Sequence, residues 1–569
     1  MIVGIDLGTT TSEIAYIKNG KPELIAQYQS GIIPSVVGLN KKMDLVVGQE
    51  AKNQLVVARD RTAAHVKRKI GTNESILLAG KKFSPVELST FILRELKKMG
   101  EEFLKEPITE AVITVPANFN DAQRQATKEA GEKAGLIVRR IINEPTAAAL
   151  AFGIGHMETE GKILVYDLGG GTFDVTVLEM LEGSLDVLAS RGINQLGGMN
   201  FDAVLVEKII RSFQHQHNID LTSNLRAMAR IIHEAEQAKI RLSSSDEVIV
   251  QLPYIAQKEN QPLSFEMKIT RTDYENLIRS YLRETMDTVN DALKAANLTE
   301  KEIDLVIAVG GSSRIPLVRE MLQKKFGNKL RDEVHPEAAV ALGAAVQAGI
   351  EAKSFQEKER IAIFDICNHT LGTDIFNTRT RKLDYSRLIL RDTHLPFAAT
   401  RRYCTIADNQ DRITVEIYQG ESDDVDNNVK IGSLTVDEIP ENAAGKENID
   451  ITFRYNVNGI LEVDVIIVST GKTASARIDM YEYDAPKESS VFSEENLPQP
   501  QYSLSAELRT TMVLYEKRKD NLPKGSQLLA EAMMSQLKEA INAGNAKRAE
   551  EIDRGLTDLL FAFKTEGCL

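Results

Sequence analysis

The chain has 569 residues, 43% of them hydrophobic and 27% charged, which indicates a globular protein of about three domains. Its net charge of −13 argues against nucleic acid or an anionic membrane surface as the main partner. The first residues carry no secretion signal, no apolar run is long enough to cross a membrane, and the three cysteines lack metal-ligand spacing, so we expect a cytoplasmic protein.

The first informative segment lies at the start of the chain. An apolar run over residues 2–5 leads into Asp6-Leu7-Gly8-Thr9-Thr10, and an alternating run over residues 12–17 follows. This order predicts a strand, a glycine-rich turn and a second strand, with a carboxylate at the mouth of the turn. Glycine lets backbone N–H groups come close to an anion, and concave arrays of such groups bind phosphate.

After this turn the sequence alternates β-branched runs with helical segments, as α/β proteins do. Residues 111–115 predict a buried strand that ends at Pro116, and residues 121–134 have the spacing of a helix. An alanine-rich helix is predicted to begin near Pro145, because proline suits the first helical turn.

The strand–turn–strand pattern then occurs a second time. Residues 163–166 form the apolar run, Asp167-Leu168-Gly169-Gly170-Gly171-Thr172 forms the turn, and residues 173–178 alternate again. A carboxylate beside each turn can hold the cation that accompanies a polyphosphate, usually through water for magnesium. One copy is compatible with an ordinary hairpin, but two matched copies predict a nucleotide triphosphate gripped from both sides.

Another glycine-rich junction closes the α/β part of the chain. Residues 305–309 are an apolar run, Gly310-Gly311-Ser312-Ser313 follows, and a helix is predicted from about Pro316. A junction of this kind at the start of a helix is a natural place for an anionic or polar ligand.

The character of the sequence changes at a polar stretch over residues 351–360, which we interpret as a hinge. Residues 361–485 alternate as β-strands do, most clearly in a hairpin whose turn is Asn458-Gly459. A polar stretch over residues 487–500 is a second candidate joint, and residues 505–564 have a helical pattern. One apolar helix face is predicted there from five residues: Leu528, Leu529, Ala532, Met533 and Leu537.

Four of these segments closely resemble motifs of the seventy-kilodalton heat-shock chaperone family. They are Ile5-Asp6-Leu7-Gly8-Thr9-Thr10, Val115-Pro116-Ala117-Asn118-Phe119-Asn120-Asp121, Ile142-Asn143-Glu144-Pro145-Thr146-Ala147-Ala148-Ala149 and Asp167 through Asp174. The resemblance is dense from residue 1 to about 350, looser to about 485 and faint beyond. It implies an α/β actin-like bilobed ATPase domain (1–355), an interdomain linker (356–365), a β-sandwich peptide-binding domain (366–485) and a short α-helical lid (486–569).

The resemblance also implies roles for the residues around the two turns. The phosphates of ATP or ADP would be lined by Gly8, Thr9, Thr10, Gly169, Gly170, Gly171 and Thr172. Magnesium would be held, largely through its water molecules, by Asp6, Glu144, Asp167 and Asp174. Lys67 would position the attacking water and Thr172 would assist near the γ-phosphate, so the implied catalytic set is Lys67, Thr172, Glu144 and Asp167.

Chemistry agrees with these roles, because phosphoryl transfer needs positioning, a cation and positive charge at the γ-phosphate. Without the family, the sequence favours a surface lysine of a basic turn for Lys67, and it is compatible with a charge at a helix N-terminus for Glu144 and the end of a strand for Pro116.

Two further sets of residues follow from the resemblance. The adenosine would be clamped by Glu236, Lys239, Ser243, Gly310, Gly311, Ser312 and Arg314. Pro116 and Arg124 would relay the nucleotide state towards the linker, and Arg140 would contact a J-domain co-chaperone. Taken alone, Arg140 is a solvated arginine.

The chain departs from general chaperones of the family in three places. The aliphatic linker is Arg360-Ile361-Ala362-Ile363-Phe364-Asp365 here, with a basic residue in place of the leading acid, and residues 367–372 replace a proline-containing segment. The helical end is short and carries no acidic tail motif. These departures resemble the short, specialised bacterial HscC-type branch.

The leading hypothesis is an ATP-dependent chaperone for protein folding and stress response. It would bind extended apolar segments of unfolded or client polypeptides, and hydrolysis would close the peptide site. A J-domain co-chaperone and a nucleotide-exchange factor are the implied partners. The alternatives are a nucleotide-gated scaffold or sensor, which the altered linker and short lid favour, and a small-molecule kinase, which would not need the C-terminal half.

Overall fold

A computed structural model describes the chain apart from residues 27–30, 154–159, 182–183, 260, 332–334, 356–361, 378–380, 457–460, 478–514, 516–523, 543–547, 550–551, 554–555 and 557–569. The chain forms two compact units. The first comprises Met1–Phe119, Ala126–Gly183 and Leu188–Ile361, and the second comprises Asn120–Gln125, Ser184–Val187 and Ala362–Leu569.

The described strands and helices follow the order that the sequence predicts. The strands are β1 (Ile2–Leu7), β2 (Thr11–Lys18), β3 (Lys21–Leu24), β4 (Ile32–Pro34), β5 (Val36–Leu39), β6 (Leu45–Val47), β7 (Thr62–Ala64), β8 (Ile76–Leu78), β9 (Lys81–Phe83), β10 (Glu110–Val115), β11 (Ile137–Asn143), β12 (Gly161–Leu168), β13 (Phe173–Leu181), β14 (Ser184–Ile193), β15 (Glu247–Lys258), β16 (Gln261–Thr270), β17 (Leu305–Val309), β18 (Leu330–Arg331), β19 (Ala362–Phe364), β20 (Leu371–Asn377), β21 (Lys382–Ile389), β22 (Phe397–Cys404), β23 (Arg412–Gln419), β24 (Val429–Asp437), β25 (Asn448–Tyr455), β26 (Leu461–Ile467) and β27 (Lys472–Arg477). The helices are α1 (Gln49–Gln54), α2 (Pro85–Leu104), α3 (Asp121–Lys133), α4 (Glu144–Gly153), α5 (Gly198–His217), α6 (Leu225–Leu242), α7 (Arg271–Ala295), α8 (Pro316–Phe326), α9 (Ala339–Glu351) and α10 (Lys524–Asn542). Single 3₁₀ turns occur at Arg59–Arg61, Val66–Lys69, Gly311–Arg314, Gly327–Lys329 and Val425–Asn427.

The first unit contains a mixed sheet with the strand order β11-β10-β1-β2-β3, and β4 also pairs with β2. β1 is parallel to β10 and antiparallel to β2. Apolar residues of β1, β2 and β10 pack against one face of α2 in a shared core. Ser84 caps the N-terminus of that helix: its hydroxyl accepts the N–H of Glu87, and the Glu87 carboxylate accepts the N–H of Ser84.

A second sheet of the first unit repeats this arrangement, with the order β18-β17-β12-β13-β14. β12 is antiparallel to β13 and parallel to β17, as β1 is to β2 and β10. Asp6 and Asp167 are each the penultimate residue of the first strand of a hairpin. In each hairpin the aspartate is paired with the residue seven positions later: Asp6 with Glu13, and Asp167 with Asp174.

The second unit contains two four-stranded antiparallel sheets, β21-β20-β23-β24 and β22-β25-β26-β27. Their inward-facing side chains form one apolar core that includes Ile417, Phe453 and Val463. The hairpin predicted by alternation is confirmed, because β25 pairs with β26 in register from Ile449 to Tyr455. Its predicted turn, Asn458-Gly459, lies outside the described residues.

The described part of the helical end confirms a helix over residues 524–542 and corrects its predicted face. Ala532 is exposed, whereas Ala530, Met534, Leu537 and Ala540 are buried in a cluster with Phe364. Of the predicted stripe, Leu537 is buried in this cluster and Met533 packs against it, so the prediction is wrong at Ala532. The side chains of Leu528 and Leu529 lie outside the described part of the chain. The joint predicted at residues 487–500 and linker residues 356–361 lie outside the described residues. In the part of the chain that the structure describes, no helix is long and apolar enough to span a membrane.

Candidate nucleotide site

The two glycine-rich turns of the first unit face each other at van der Waals distance. A Cβ placed on Gly170 would lie 2.4 Å from the Thr10 Cγ2 atom, and one on Gly171 would lie 2.8 Å from the Thr9 Cγ2 atom. Both distances are shorter than real Cβ contacts, so a side chain at either glycine would force the facing threonine or the turn to shift. The structure thus brings together the two turns that the sequence predicts to oppose each other.

Each turn is held in shape by hydrogen bonds from nearby segments. The backbone N–H of Gly8 donates to the Ser12 hydroxyl at 3.2 Å, and the Ser35 hydroxyl donates to the carbonyl of Gly8 at 2.8 Å. In the second turn, the carbonyl of Gly169 accepts the backbone N–H of Gly198 at 3.0 Å and the Ser312 hydroxyl at 3.1 Å. These contacts preorganise a concave backbone of the kind that binds phosphate.

The four carboxylates proposed for magnesium are half-buried or buried near the turns. Burial, together with the charge of Glu144, raises the pKa of Asp6 to about 7 and that of Asp174 to about 7. Burial, followed by the charges of Glu144 and Asp174, raises the pKa of Asp167 well above its usual range. Mutual repulsion of this kind indicates a cluster in which a cation would be stabilised.

This donor set fits magnesium, because it supplies the carboxylate oxygens that magnesium prefers. Among the described residues, no three histidine, cysteine, aspartate or glutamate side chains converge closely enough to hold an ion directly. Binding through the water shell of the ion is the arrangement compatible with this spacing.

Lys67 lies inside the cluster and is not a surface lysine. Its ammonium donates to a carboxylate oxygen of Glu144 at 2.5 Å, and both side chains are almost fully buried. The ammonium also lies 5.6 Å from the centre of the Phe119 ring. The structure therefore excludes the reading of Lys67 as a solvated residue of a basic turn.

The cluster contains a carboxylate that sequence reasoning missed. Glu13 is 2% exposed, and burial, together with the charges of Asp6 and Glu337, raises its pKa to about 9. Such a group holds a proton at neutral pH unless a cation joins it. The signal was present in the sequence, since Glu13 stands seven residues after Asp6 as Asp174 stands seven after Asp167.

A cavity of about 1,100 Å³ lies beside the turns in the first unit. Its lining includes every residue predicted for the adenosine except Gly310: Glu236, Lys239, Ser243, Gly311, Ser312 and Arg314. Thr10 and Gly170 line it too, so the cavity is continuous with the phosphate turns. Gly310 directly precedes Gly311 of this lining and has a positive φ of 80°, which favours glycine, and a Cβ placed on it would lie 2.4 Å from the carbonyl oxygen of Leu168.

Several of the cavity's polar side chains are held by partners that the sequence did not reveal. Lys239 donates to Asp202 at 2.9 Å, and Lys52 donates to Glu236 at 3.3 Å. Arg314 is hydrogen-bonded to His335 at 2.7 Å and lies 3.7 Å from Glu337. The partners are 21 to 184 residues away in sequence, so no local pattern could have shown them.

The two residues predicted to relay nucleotide state, and the one predicted to contact a J-domain co-chaperone, do not line this cavity. Pro116 is buried directly after β10, Arg124 is half-buried in α3, and Arg140 is half-buried in β11. Two residues after Pro116, the Asn118 amide donates to a carboxylate oxygen of Asp174 at 2.8 Å. The segment that begins at Pro116 therefore contacts the acidic cluster through Asn118, and the proposed roles of the three residues stay predictions.

Comparison with known proteins gives matches along almost the whole chain. The family model described as Hsp70 protein matches residues 2–77 and 75–560. The chaperone protein DnaK of Thermotoga neapolitana is 39% identical over 565 residues, which cover 96% of this chain and 94% of that protein. The DnaK of Thermosipho melanesiensis is 37% identical over 578 residues, covering 98% and 96%, and that of Thermotoga petrophila is 42% identical over 478 residues, covering 83% and 79%.

Proposed function

The chain belongs to the Hsp70 family, and on that premise we propose that it is a specialised member of the short bacterial HscC-type branch. As a member of the family it is an ATP-dependent chaperone, and its enzymatic activity is ATP hydrolysis coupled to chaperone action. Its fold class is an actin-like ATPase domain followed by a β-rich substrate-binding domain. The basic residue at position 360 and the segment 367–372 support the branch.

The observation that carries the nucleotide function is the close approach of the two turns. Gly170 faces Thr10 and Gly171 faces Thr9 across a gap too narrow for a Cβ atom. Two concave backbone segments in this contact would bind the phosphates of ATP beside it, where Thr10 and Gly170 line the adjoining cavity. The adjoining cavity would take the adenosine, with Lys239 and Arg314 among its polar contacts.

In this proposal the chain's own residues act by position and charge. The Lys67 ammonium, fixed by Glu144, would orient the attacking water and stabilise the charge that develops at the γ-phosphate. Thr172, at the end of the second turn, would donate a hydrogen bond near the same phosphate. When bound, magnesium would neutralise phosphate charge, and Asp6, Glu144, Asp167 and Asp174 would hold its water shell.

Client polypeptide is the ligand that the family implies for the β-rich second unit. We propose domain limits of 1–355 for the ATPase domain, 356–365 for the linker, 366–485 for the peptide-binding domain and 486–569 for the lid. A J-domain co-chaperone that contacts Arg140, a nucleotide-exchange factor and a cytoplasmic location are further parts of the proposal. Pro116 and Arg124 would relay nucleotide state.

The experiment is a phosphate-release assay on the purified chain, with and without a saturating aliphatic-rich unfolded peptide. A peptide in which aspartate replaces the aliphatic residues is the matched control. We expect slow hydrolysis that the aliphatic peptide stimulates and the acidic peptide does not. Hydrolysis that ignores both peptides, even with a J-domain protein present, would instead favour a nucleotide-gated scaffold that the altered linker has uncoupled from peptide.

A further inference from the structure

Glu13 is a buried carboxylate for which the family's nucleotide chemistry provides no role. It lies on β2, directly across from Asp6 on β1, and is 2% exposed. Its Oε2 atom has no hydrogen-bond partner among the residues that the structure describes. A buried polar atom without a partner is costly, and an unpaired buried charge is more so, which indicates a missing ligand.

The pairing determines where this side chain is directed. Directly opposed residues of an antiparallel pair project from the same face of the sheet, with Cβ atoms about 4.5–5.5 Å apart. Glu13 therefore projects from the same face as Asp6, near enough to Asp6 and Glu337 to be affected by their charges, whereas its neighbour Ile14 projects into the core with Ile5.

The internal repeat gives this position an equivalent. In the second hairpin, Asp174 stands across from Asp167 in the same register and over the same seven-residue interval. Asp174 is 1% exposed and is one of the four carboxylates proposed for the cation. Each hairpin therefore presents a pair of acids beside its glycine-rich turn: Asp6 with Glu13, and Asp167 with Asp174.

We propose that Glu13 is a fifth carboxylate of the divalent-cation site, a positioning residue that accepts hydrogen bonds from the water shell of the ion beside Asp6. This inference rests on the proposed nucleotide function. The spacing supports it, because the described carboxylates are too far apart to bind an ion directly and oxygen acceptors around the shell then determine affinity.

The test is a titration of Mn²⁺ into the ADP-loaded full-length chain, followed by electron paramagnetic resonance. Glu13→Gln keeps the shape and removes the charge, and we expect it to weaken Mn²⁺ binding about 10-fold or more. Glu23→Gln is the matched control, since Glu23 is an exposed carboxylate on the adjacent strand β3, where it pairs with Lys18. This control should bind Mn²⁺ like the parent.

Thermal melting supplies a second readout that does not depend on activity. Without divalent cation, Glu13→Gln should melt at about the temperature of the parent, because Glu13 then holds a proton and the amide has the same shape and charge. Adding magnesium and ADP should then raise its melting temperature by less than that of the parent. Glu13→Met fills a similar volume with no oxygen or nitrogen atoms, and magnesium with ADP should likewise raise its melting temperature by less than that of the parent. It is the test variant if Glu13→Gln folds poorly.

These measurements distinguish a failure of the role proposed for Glu13 from a failure of the proposed nucleotide site. The role of Glu13 would be overturned if both variants bound Mn²⁺ with the affinity of the parent and were stabilised by magnesium as much as the parent is. Glu13 would then be a buried acid that keeps its proton when the cation binds. A parent chain that binds neither ADP nor Mn²⁺ would overturn the proposed nucleotide site first, and the role of Glu13 with it.

Discussion

The buried ion pair of Lys67 and Glu144 shows how one residue can be both structural and chemical. At 2.5 Å, with both side chains almost fully buried, the pair is a strong charge-assisted hydrogen bond. The carboxylate fixes the ammonium in one position, while the remaining N–H donors of the lysine are free by valence to bind water or phosphate. Rigid positive charge next to a phosphate turn is what phosphoryl transfer requires.

We therefore expect Lys67→Ala to lower the rate of ATP hydrolysis about 100-fold or more, in line with the loss of one preorganised donor to a transition state. Nucleotide affinity should stay near that of the parent, because the turns and the adenosine cavity are intact. Single-turnover hydrolysis and equilibrium binding of a fluorescent ADP analogue measure the two quantities separately. The same split is expected for Thr172→Ala.

Lys18→Ala is the control for this change, since Lys18 is an exposed lysine on β2 that pairs with Glu23. It should leave both quantities unchanged. Parent-like hydrolysis by Lys67→Ala would show that the site assignment is wrong, and a loss of binding equal to the loss of rate would make Lys67 a structural residue only.

At the scale of elements, the sequence predicts the strands and turns that depend on short-range patterns. Three such predictions are confirmed: the two glycine-rich hairpins, the strand before Pro116, and the hairpin of β25 and β26. Each depends on alternating apolar residues or on a glycine turn within a segment of about ten residues. The facing of the two turns was also predicted, since their similarity suggested a shared ligand.

Contacts between distant segments were not predictable in this way. Lys239 meets Asp202 and Asn118 meets Asp174 only because the fold brings separate elements together. The predicted face of α10 is wrong at Ala532 for a related reason, because the buried side of this helix is determined by the neighbours that it packs against, here Phe364.

The three consecutive glycines of the second turn allow a test of its close approach to the first turn, because only some of them lie near the first turn. A Cβ on Gly170 would lie 2.4 Å from Thr10, whereas a Cβ on Gly169 would meet nothing closer than the Thr172 carbonyl oxygen at 3.7 Å. Gly170→Ala should therefore push the turns apart and weaken ATP binding at least about 10-fold, a cost of about 1.4 kcal/mol. Gly169→Ala should bind ATP within about 2-fold of the parent.

Isothermal titration of both variants with ATP and magnesium checks this prediction, with circular dichroism to show that each is folded. Equal affinity in the two variants would mean that the turns do not jointly grip the phosphates. A stronger effect at Gly169 than at Gly170 would place the critical approach elsewhere in the turn.

At the scale of the whole molecule, the question is whether an altered linker still couples nucleotide to peptide. Coupling is a free energy between two sites, so it must appear equally in the effect of ATP on peptide and of peptide on ATP. A chain that has lost coupling would keep both binding activities and lose only this mutual effect. A chaperone and a gated scaffold therefore differ in a measurable quantity, the ratio of peptide affinities in the two nucleotide states.

We expect an aliphatic-rich peptide to bind at least about 5-fold more weakly in the presence of ATP than of ADP, the lower end of usual allosteric coupling. The Lys67→Ala chain is the right form for this measurement, because slow hydrolysis keeps ATP in place while fluorescence anisotropy reports the peptide. The reverse titration of nucleotide, with and without saturating peptide, should give the same ratio. Identical peptide affinity in both nucleotide states would show that residues 360–365 no longer transmit the signal, and a scaffold function would then account for the chain better than a chaperone cycle.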